Sequence, residues 1–347
     1  MPNRTLSRRS ALIVSALAAL SALAAAGCNN PPAPSSGSPV AGASPAPPAS
    51  GAGGGDLTIA VIPKGTTHSF WKAVEAGAQE AGKELGVKIV WKGPLKENDR
   101  AQQIGIVQQF VSDKVSGIVL APLDDTALVK PVQSAAQAKI PVVIFDSALK
   151  GEQGKDFASF VATDNRKGGQ LGGERLAKLL GGKGKVVLLR YQVGSASTME
   201  REAGFLEAIQ KNPGIELIVD NRYAGATVGE AKNAAMNLVD KLKQADGVFC
   251  PNESSTAGML LALRQNGLAG KVKFVGFDSS ESLLDGLNKG EINALVVQNP
   301  KKMGYEGVKT LVSVIKGEEV PASVDTGVAV VDKENLGTPD IKALVGG

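Results

Sequence analysis

Residues 56–71 read DLTIAVIPKGTTHSFW, and the change of pattern inside this stretch decides the fold. Leu57 to Ile62 is an unbroken apolar run, short enough for a strand buried on both faces. Pro63 and Gly65 end it, and Ser69 is a candidate cap for a helix that opens with Phe70 and Trp71. In a parallel α/β protein such a strand-to-helix corner opens at the carboxyl edge of the sheet, where ligands bind. His68, Phe70 and Trp71 are therefore a candidate contact surface. The competing reading packs both aromatics into the first helix and leaves His68 an ordinary surface residue.

The same alternation continues downstream. Apolar runs at 87–91, 117–121 and 140–145 read as strands, separated by helical patterns at 70–85, at 99–112 and at a segment that ends near Lys139 and is capped by Asp124 or Asp125. A further strand at 157–162 is followed by a fresh series of helices and strands through residue 297, with one helix expected over 228–242. Such a series predicts parallel sheets covered on both faces, a doubly wound α/β architecture with two domains. A helix at 302–316 and an apolar segment at 326–331 are too small to stand alone and must return to those bodies.

Polar residues at strand ends form the informative pattern. Asp146, Asn252, Glu253, Asp278 and Gln298 each follow an apolar run at once or within a few residues, so all can converge on one edge. Individually each also reads as a helix cap or a solubilising loop residue. The set is rich in planar hydrogen-bonding groups and holds no nucleophile with its base, no acid–base pair and no cluster at metal-ligand spacing, so neither an enzyme nor a metal or cofactor is expected. GGKGK at 181–185 lacks the spacing and the final Ser or Thr of a phosphate loop and reads as a helix end and turn. GGQLGG at 168–173 does not fit the dinucleotide fingerprint and reads as a close-packing helix surface.

The amino-terminal segment is an export signal. Arg4, Arg8 and Arg9 precede a short apolar stretch, and small residues lead to Cys28. Ala-Ala-Gly before that cysteine resembles a bacterial lipoprotein cleavage site, which implies lipidation of Cys28; plain cleavage nearby is the alternative. Residues 1–27 are then the signal, and 28–55, almost all Pro, Ala, Gly and Ser and uncharged, are a disordered tether. Taking the three arginines of the signal from 38 basic residues leaves 35 against 34 acidic, so the basicity belongs to targeting and no nucleic-acid partner is expected. No later apolar segment approaches the roughly 20 residues that span a bilayer. Cys250 reads as a small buried residue without a disulfide partner.

The motifs at these corners resemble the periplasmic sugar-binding proteins of ABC transporters, of the type I periplasmic-binding-protein fold, with the ribose binders nearest in pattern. The likeness rests on the 56–71 corner, IPVVIFDS at 140–147, ATDNRKGGQ at 162–170, EREAGF at 200–205, VFCPNES at 248–254, VGFDSS at 275–280 and VVQNP at 296–300. It implies two doubly wound domains joined by a three-segment hinge, with crossings near Ala162, Gln298 and Gly327 and a ligand cleft between them. The first domain would be 56–161 plus 299–326 and the second 162–298 plus 327–347. By resemblance Phe70 and Trp71 stack on a sugar ring, His68 replaces an asparagine, and Asp146, Asn252, Asp278 and Gln298 meet hydroxyls. Ser147 and Met199 stand where ribose binders carry ligand-contacting arginines, Arg201 is either structural or reaches the cleft, and Tyr223 replaces an aromatic if its loop shifts. Glu253 reaches the ligand or caps the next helix.

The resemblance implies a monomeric, exported, periplasmic or extracytoplasmic protein, anchored through Cys28, that binds a monosaccharide or polyol and delivers it to a membrane permease. Presentation of the bound ligand to a chemoreceptor or sensor kinase is the alternative. A repressor of the same fold would need DNA-binding helices where the export signal lies, and a sugar-modifying enzyme would need catalytic groups.

Overall fold

The apolar run after Leu57 forms β1 (Thr58–Ile62), and its last four side chains are fully buried. The computed structural model describes residues 57–345; the signal, Cys28 and the tether lie outside them. After β1 come α1 (Ser69–Leu85), β2 (Lys88–Trp91), α2 (Arg100–Ser112), β3 (Gly117–Leu120), α3 (Val129–Gln137), β4 (Val142–Phe145) and β5 (Ser159–Ala162). The chain continues through α4 (Asn165–Leu179), β6 (Lys183–Arg190), α5 (Ala196–Gln210), β7 (Gly214–Tyr223), α6 (Val228–Met236), α7 (Val239–Leu242) and β8 (Gly247–Phe249). Then follow α8 (Glu253–Gln265), β9 (Lys273–Phe277), α9 (Glu281–Lys289), β10 (Ala294–Gln298), α10 (Pro300–Ile315), β11 (Ser323–Asp325), β12 (Val328–Val331) and α11 (Pro339–Val345).

These elements build two α/β lobes. One sheet has the order β11-β5-β4-β3-β1-β2 with every pairing parallel; the other has β12-β10-β9-β8-β6-β7, parallel except where β12 runs against β10. The cores follow from the two-residue period of a strand. Ile59 and Val61 pack under α1 and α10, while Ala60 and Ile62 pack under α2 and α3. In the second sheet Val187 and Leu189 face α6, α8 and α9, while Val186 and Leu188 face α4 and α5. Each fully buried Val, Leu, Ile or Phe contributes roughly 1.5–3 kcal/mol, so both faces of each sheet resist opening.

The chain passes from one sheet to the other three times: between β5 and α4, between β10 and α10, and between β11 and β12. Of the 326–331 segment, 328–331 forms β12 in the second sheet, while β11 ends before it, at Asp325 in the first sheet. The helix expected over 228–242 breaks after Met236, which turns Leu238 and Leu242 into the core.

The glycines of GGQLGG lie on α4 and are buried. A methyl group at Gly169 would sit on the carbonyl of Arg201, and Gly173 meets Phe205 and Ala208, so α4 and α5 cross with backbones nearly touching. Gly77 and Gly304 do the same for α1 and α10. Overpacking of this kind costs about 1–3 kcal/mol. Gly169→Ala is expected to lower stability by that amount in a denaturant melt. Gly105→Ala, on an exposed position of α2 with open space around it, should raise stability by up to about 1 kcal/mol.

Candidate functional site

The carboxyl ends of both sheets face one another, and the residues just beyond them line one narrow cavity. From the first lobe come Lys64 after β1, His68, Phe70 and Trp71 at the start of α1, Glu97 before α2, and Asp146 after β4. From the second come Ser197, Thr198 and Arg201 on α5, Asn252 and Glu253 at the start of α8, Asp278 after β9, and Gln298 at the end of β10. Asp146 and Asp278 occupy matching places, each between a phenylalanine and a serine at the end of its strand, and each has a left-handed backbone, with φ of 59° and 68°. Aspartate tolerates this region better than most residues, and the turn swings both carboxylates off the strand direction into the cleft.

Trp71 and Phe70 are buried and meet edge to face, with centroids 4.9 Å apart, and Trp71 packs likewise on Phe145. The indole Nε1 donates to Glu97 Oε1 at 2.8 Å, the same oxygen that His68 Nδ1 meets at 2.8 Å. Glu97 Oε2 accepts from the Tyr191 hydroxyl of the opposite lobe at 2.8 Å. Burial works against the charge on His68, but the charge and hydrogen bond of Glu97 outweigh it and raise the imidazole to about 9. Burial would raise Glu97 too; His68, Lys64 and Trp71 outweigh it and hold the carboxyl at about 2.

Beside this cluster the Lys64 ammonium lies 2.8 Å from Asp146 Oδ2 and donates to Ser197 Oγ at 2.8 Å, across the cleft. On the second lobe Arg201 is fixed on all sides. Its Nε donates to Asn165 Oδ1 at 2.8 Å, Nη1 to the Pro251 carbonyl at 3.0 Å and Nη2 to Gln298 Oε1 at 2.7 Å, with the guanidinium 4.0 Å over the Phe277 ring. Gln298 Nε2 in turn donates to Asp278 Oδ1 at 2.6 Å, and the Glu253 amide donates to Asp278 Oδ2 at 2.8 Å. Burial pushes the Asp278 carboxyl up to about 6, against the opposing pull of Arg201 and Gln298. Asn252 caps α8 through Ser255 while its side chain also borders the cavity.

Of the residues singled out in the sequence, His68, Phe70, Trp71, Asp146, Arg201, Asn252, Glu253, Asp278 and Gln298 meet in this cavity. Ser147 is buried beside it, and its Oγ accepts from the Ser197 amide at 3.1 Å, joining the lobes. Met199 and Tyr223 are not brought there. Thr198 and Arg201 face inward on α5, and Met199, one residue and about 100° around the helix from Thr198, is exposed. Tyr223 ends the edge strand β7 with its side chain about half exposed. Ser69 does not cap α1 either. His68 holds the cap position without a capping side-chain bond, and Glu253 of the other lobe accepts from the Ser69 amide at 3.2 Å and the Phe70 amide at 2.9 Å.

Lys64, Glu97, Ser197 and Thr198 line the cavity and were not singled out. Lys64 stands in the opening stretch directly after the strand and its proline, a place that marks the sheet edge. Glu97 lies in an irregular loop whose direction only the tertiary structure sets. Among the described residues no group of three or more His, Cys, Asp or Glu side chains could hold a metal ion, and Cys250 is buried with its thiol pushed well up by burial.

Two lobes that close charge-paired amides, carboxylates and an aromatic wall around a small space make a bilobed solute-binding protein. Residues 59–319 match the family described as periplasmic binding protein domain, and the chain belongs to that family, among its periplasmic sugar-binding members for ABC transporters. It is 30% identical over 278 residues to the ribose import binding protein RbsB of Escherichia coli, an alignment covering 80% of this chain and 91% of the relative. A carbohydrate transporter solute binding protein from Agrobacterium radiobacter, solved with D-arabinose, superposes with a TM-score of 0.80 at 38% identity, covering 84% of this chain and 100% of that one. An ABC transporter solute binding protein from Agrobacterium vitis with bound D-fucose gives 0.80 at 36% identity over 83% of this chain and 99% of its own. The family binds solutes and is not catalytic, so the chain is not an enzyme, and its place is periplasmic or extracytoplasmic.

The chain has one histidine, so the buried pair can be read directly. His68 moves from an ordinary 6.5 to about 9, so its contribution to stability is complete below about 6.5 and is lost as pH rises through 9. Glu97 moves from 4.5 to about 2, so its contribution is present above 4.5 and is lost as pH falls through 2. An NMR titration of the tag-free protein is expected to show the imidazole changing near pH 9, and Glu97→Gln should lower that midpoint, because burial is then opposed only by the more distant charges of Glu253 and Asp278. A wild-type midpoint near 6.5 would contradict the pairing.

Proposed function

We propose that the protein binds a neutral monosaccharide, a pentose, hexose or related polyol, between its lobes and delivers it to an ABC permease in the membrane. The observation that carries this reading is the matched pair Asp146 and Asp278, presented from both lobes to one cavity beside Phe70 and Trp71. A sugar offers apolar ring faces to aromatics and hydroxyls that donate and accept at once, which suits carboxylates and amides set in pairs. His68, Lys64, Arg201, Asn252 and Gln298 supply the donors and acceptors around that pair. The relatives solved with D-arabinose and D-fucose support an uncharged aldose as the cargo.

In this reading the three crossings act as the hinge, with the lobes bounded as 56–161 plus 299–326 and 162–298 plus 327–347. Both must touch the ligand for closure, which confers selectivity without covalent chemistry. A lipid on Cys28 and the uncharged stretch after it would hold the monomeric body near the permease while leaving it free to turn.

Titration with D-arabinose, D-fucose, D-ribose, D-allose and xylitol is expected to change tryptophan fluorescence for at least one sugar, with the same affinity in EDTA. Trp71→Ala should weaken that binding at least about tenfold, as removal of a buried aromatic anchor does. Failure of every sugar in calorimetry, or an unchanged affinity in Trp71→Ala, would overturn the reading.

A further inference from the structure

The first turn of α1 carries His68, Phe70 and Trp71, yet it has no cap of its own. The cap-position side chain makes no capping bond, and no acidic residue stands in the first turn. A helix start leaves backbone amides without partners and carries a partial positive charge. Both needs are met from the other lobe: Glu253 Oε1 accepts from the Ser69 amide at 3.2 Å and Oε2 from the Phe70 amide at 2.9 Å. Glu253 is the first residue of α8, and α8 does not use that side chain, because Asn252 and Ser255 cap it reciprocally. The Glu253 amide is held by Asp278 at 2.8 Å, which anchors the residue at the cleft wall.

We propose that Glu253 is a closure latch, a residue of one lobe that caps the helix of the other and so ties lobe closure to the placement of the aromatic wall. The inference deepens the sugar-binding reading and rests on it for the nature of the cargo. When the lobes part, the carboxylate leaves the α1 amides and the first turn loses its only side-chain cap. Closure restores the cap and fixes Phe70 and Trp71, so the latch slows release of whatever lies between the lobes. Its role in this proposal is closure rather than the choice among sugars, since each carboxylate oxygen faces a backbone amide of α1.

Glu253→Gln keeps the length but loses the charge and one acceptor, and Glu253→Asp keeps the charge but is one methylene shorter. Both leave the Asn252–Ser255 cap of α8 in place. Hydrogen exchange of the full chain, free and in saturating D-arabinose, reads the amides of Ser69 and Phe70. Stopped-flow fluorescence with D-arabinose reads association and dissociation, and calorimetry across the sugar panel reads preference. Both variants are expected to exchange at Ser69 and Phe70 about tenfold faster, the size of a lost helix cap, with α8 protection unchanged. Dissociation should speed up about tenfold while association stays within about twofold, and the order of sugar preference should not move.

Equal exchange at these amides in wild type and both variants in saturating D-arabinose, where the lobes are closed, overturns the latch. So does a reordered sugar preference with unchanged exchange, which would make Glu253 a sugar ligand. If no sugar binds the wild type, the cargo reading fails by itself, and the latch then falls as well unless the free wild type exchanges Ser69 and Phe70 more slowly than both variants.

Discussion

Seven ionisable side chains, six of them buried and His68 nearly so, stand where the two lobes meet, and the cost of taking them out of water governs the rest of the cleft. Lys64, His68 and Arg201 stand against Glu97, Asp146, Glu253 and Asp278. An unpaired buried charge is expensive, so each must find an opposite charge or strong hydrogen bonds. Glu97 takes His68, Asp146 takes Lys64, and Glu253 takes the start of α1. Arg201 reaches Asp278 through Gln298, and Asp278 settles part of its cost by holding its proton more tightly. The three cations face four carboxylates and the partial positive charge at the start of α1 offsets the fourth, so the set is close to neutral within the protein and a charged ligand would bring a charge with no partner. A neutral one need only exchange water for hydroxyl contacts.

The same pairings join the lobes. Lys64 to Ser197, Glu97 to Tyr191, Ser147 to the Ser197 amide and the Glu253 cap all cross the cleft. At its rim the Asp125 amide donates to the Gly194 carbonyl at 2.9 Å and Arg100 Nη2 to the Val193 carbonyl at 3.1 Å. These contacts combine recognition with closure: side chains that solvate one another between the lobes also set how firmly the lobes hold together. The parallel sheets make this arrangement natural, because parallel strands end on one edge, and β4 and β9 place their next residues, Asp146 and Asp278, in the cleft.

The central strands were legible because they are buried and therefore continuously apolar, and the polar residue at the end of β4, β9 and β10 was legible because the apolar run stops there. That logic finds Asp146, Asp278 and Gln298. It does not find Glu97, whose loop has no period and whose partners come from α1 and from Tyr191 of the other lobe. Nor does it find what Glu253 does: the sequence shows an acid at the start of α8, while its acceptors' donors lie 183 and 184 residues away. Met199 shows the limit of carrying a site by position in a motif, since one step along a helix turns a side chain by about 100°. β11 was not legible for another reason, since Ser323–Asp325 is a three-residue, largely exposed edge strand with a single apolar side chain.

The charge balance of the cleft is tested most directly by calorimetry that compares each neutral aldose with its charged counterparts, D-fucose and D-galactose beside D-galacturonate and D-galactosamine, and D-arabinose beside D-arabinonate. The account predicts that a neutral sugar binds and that its anionic and cationic counterparts bind at least about 100-fold more weakly, the cost of an unpaired buried charge. A charged sugar that binds as tightly as its neutral counterpart would contradict it.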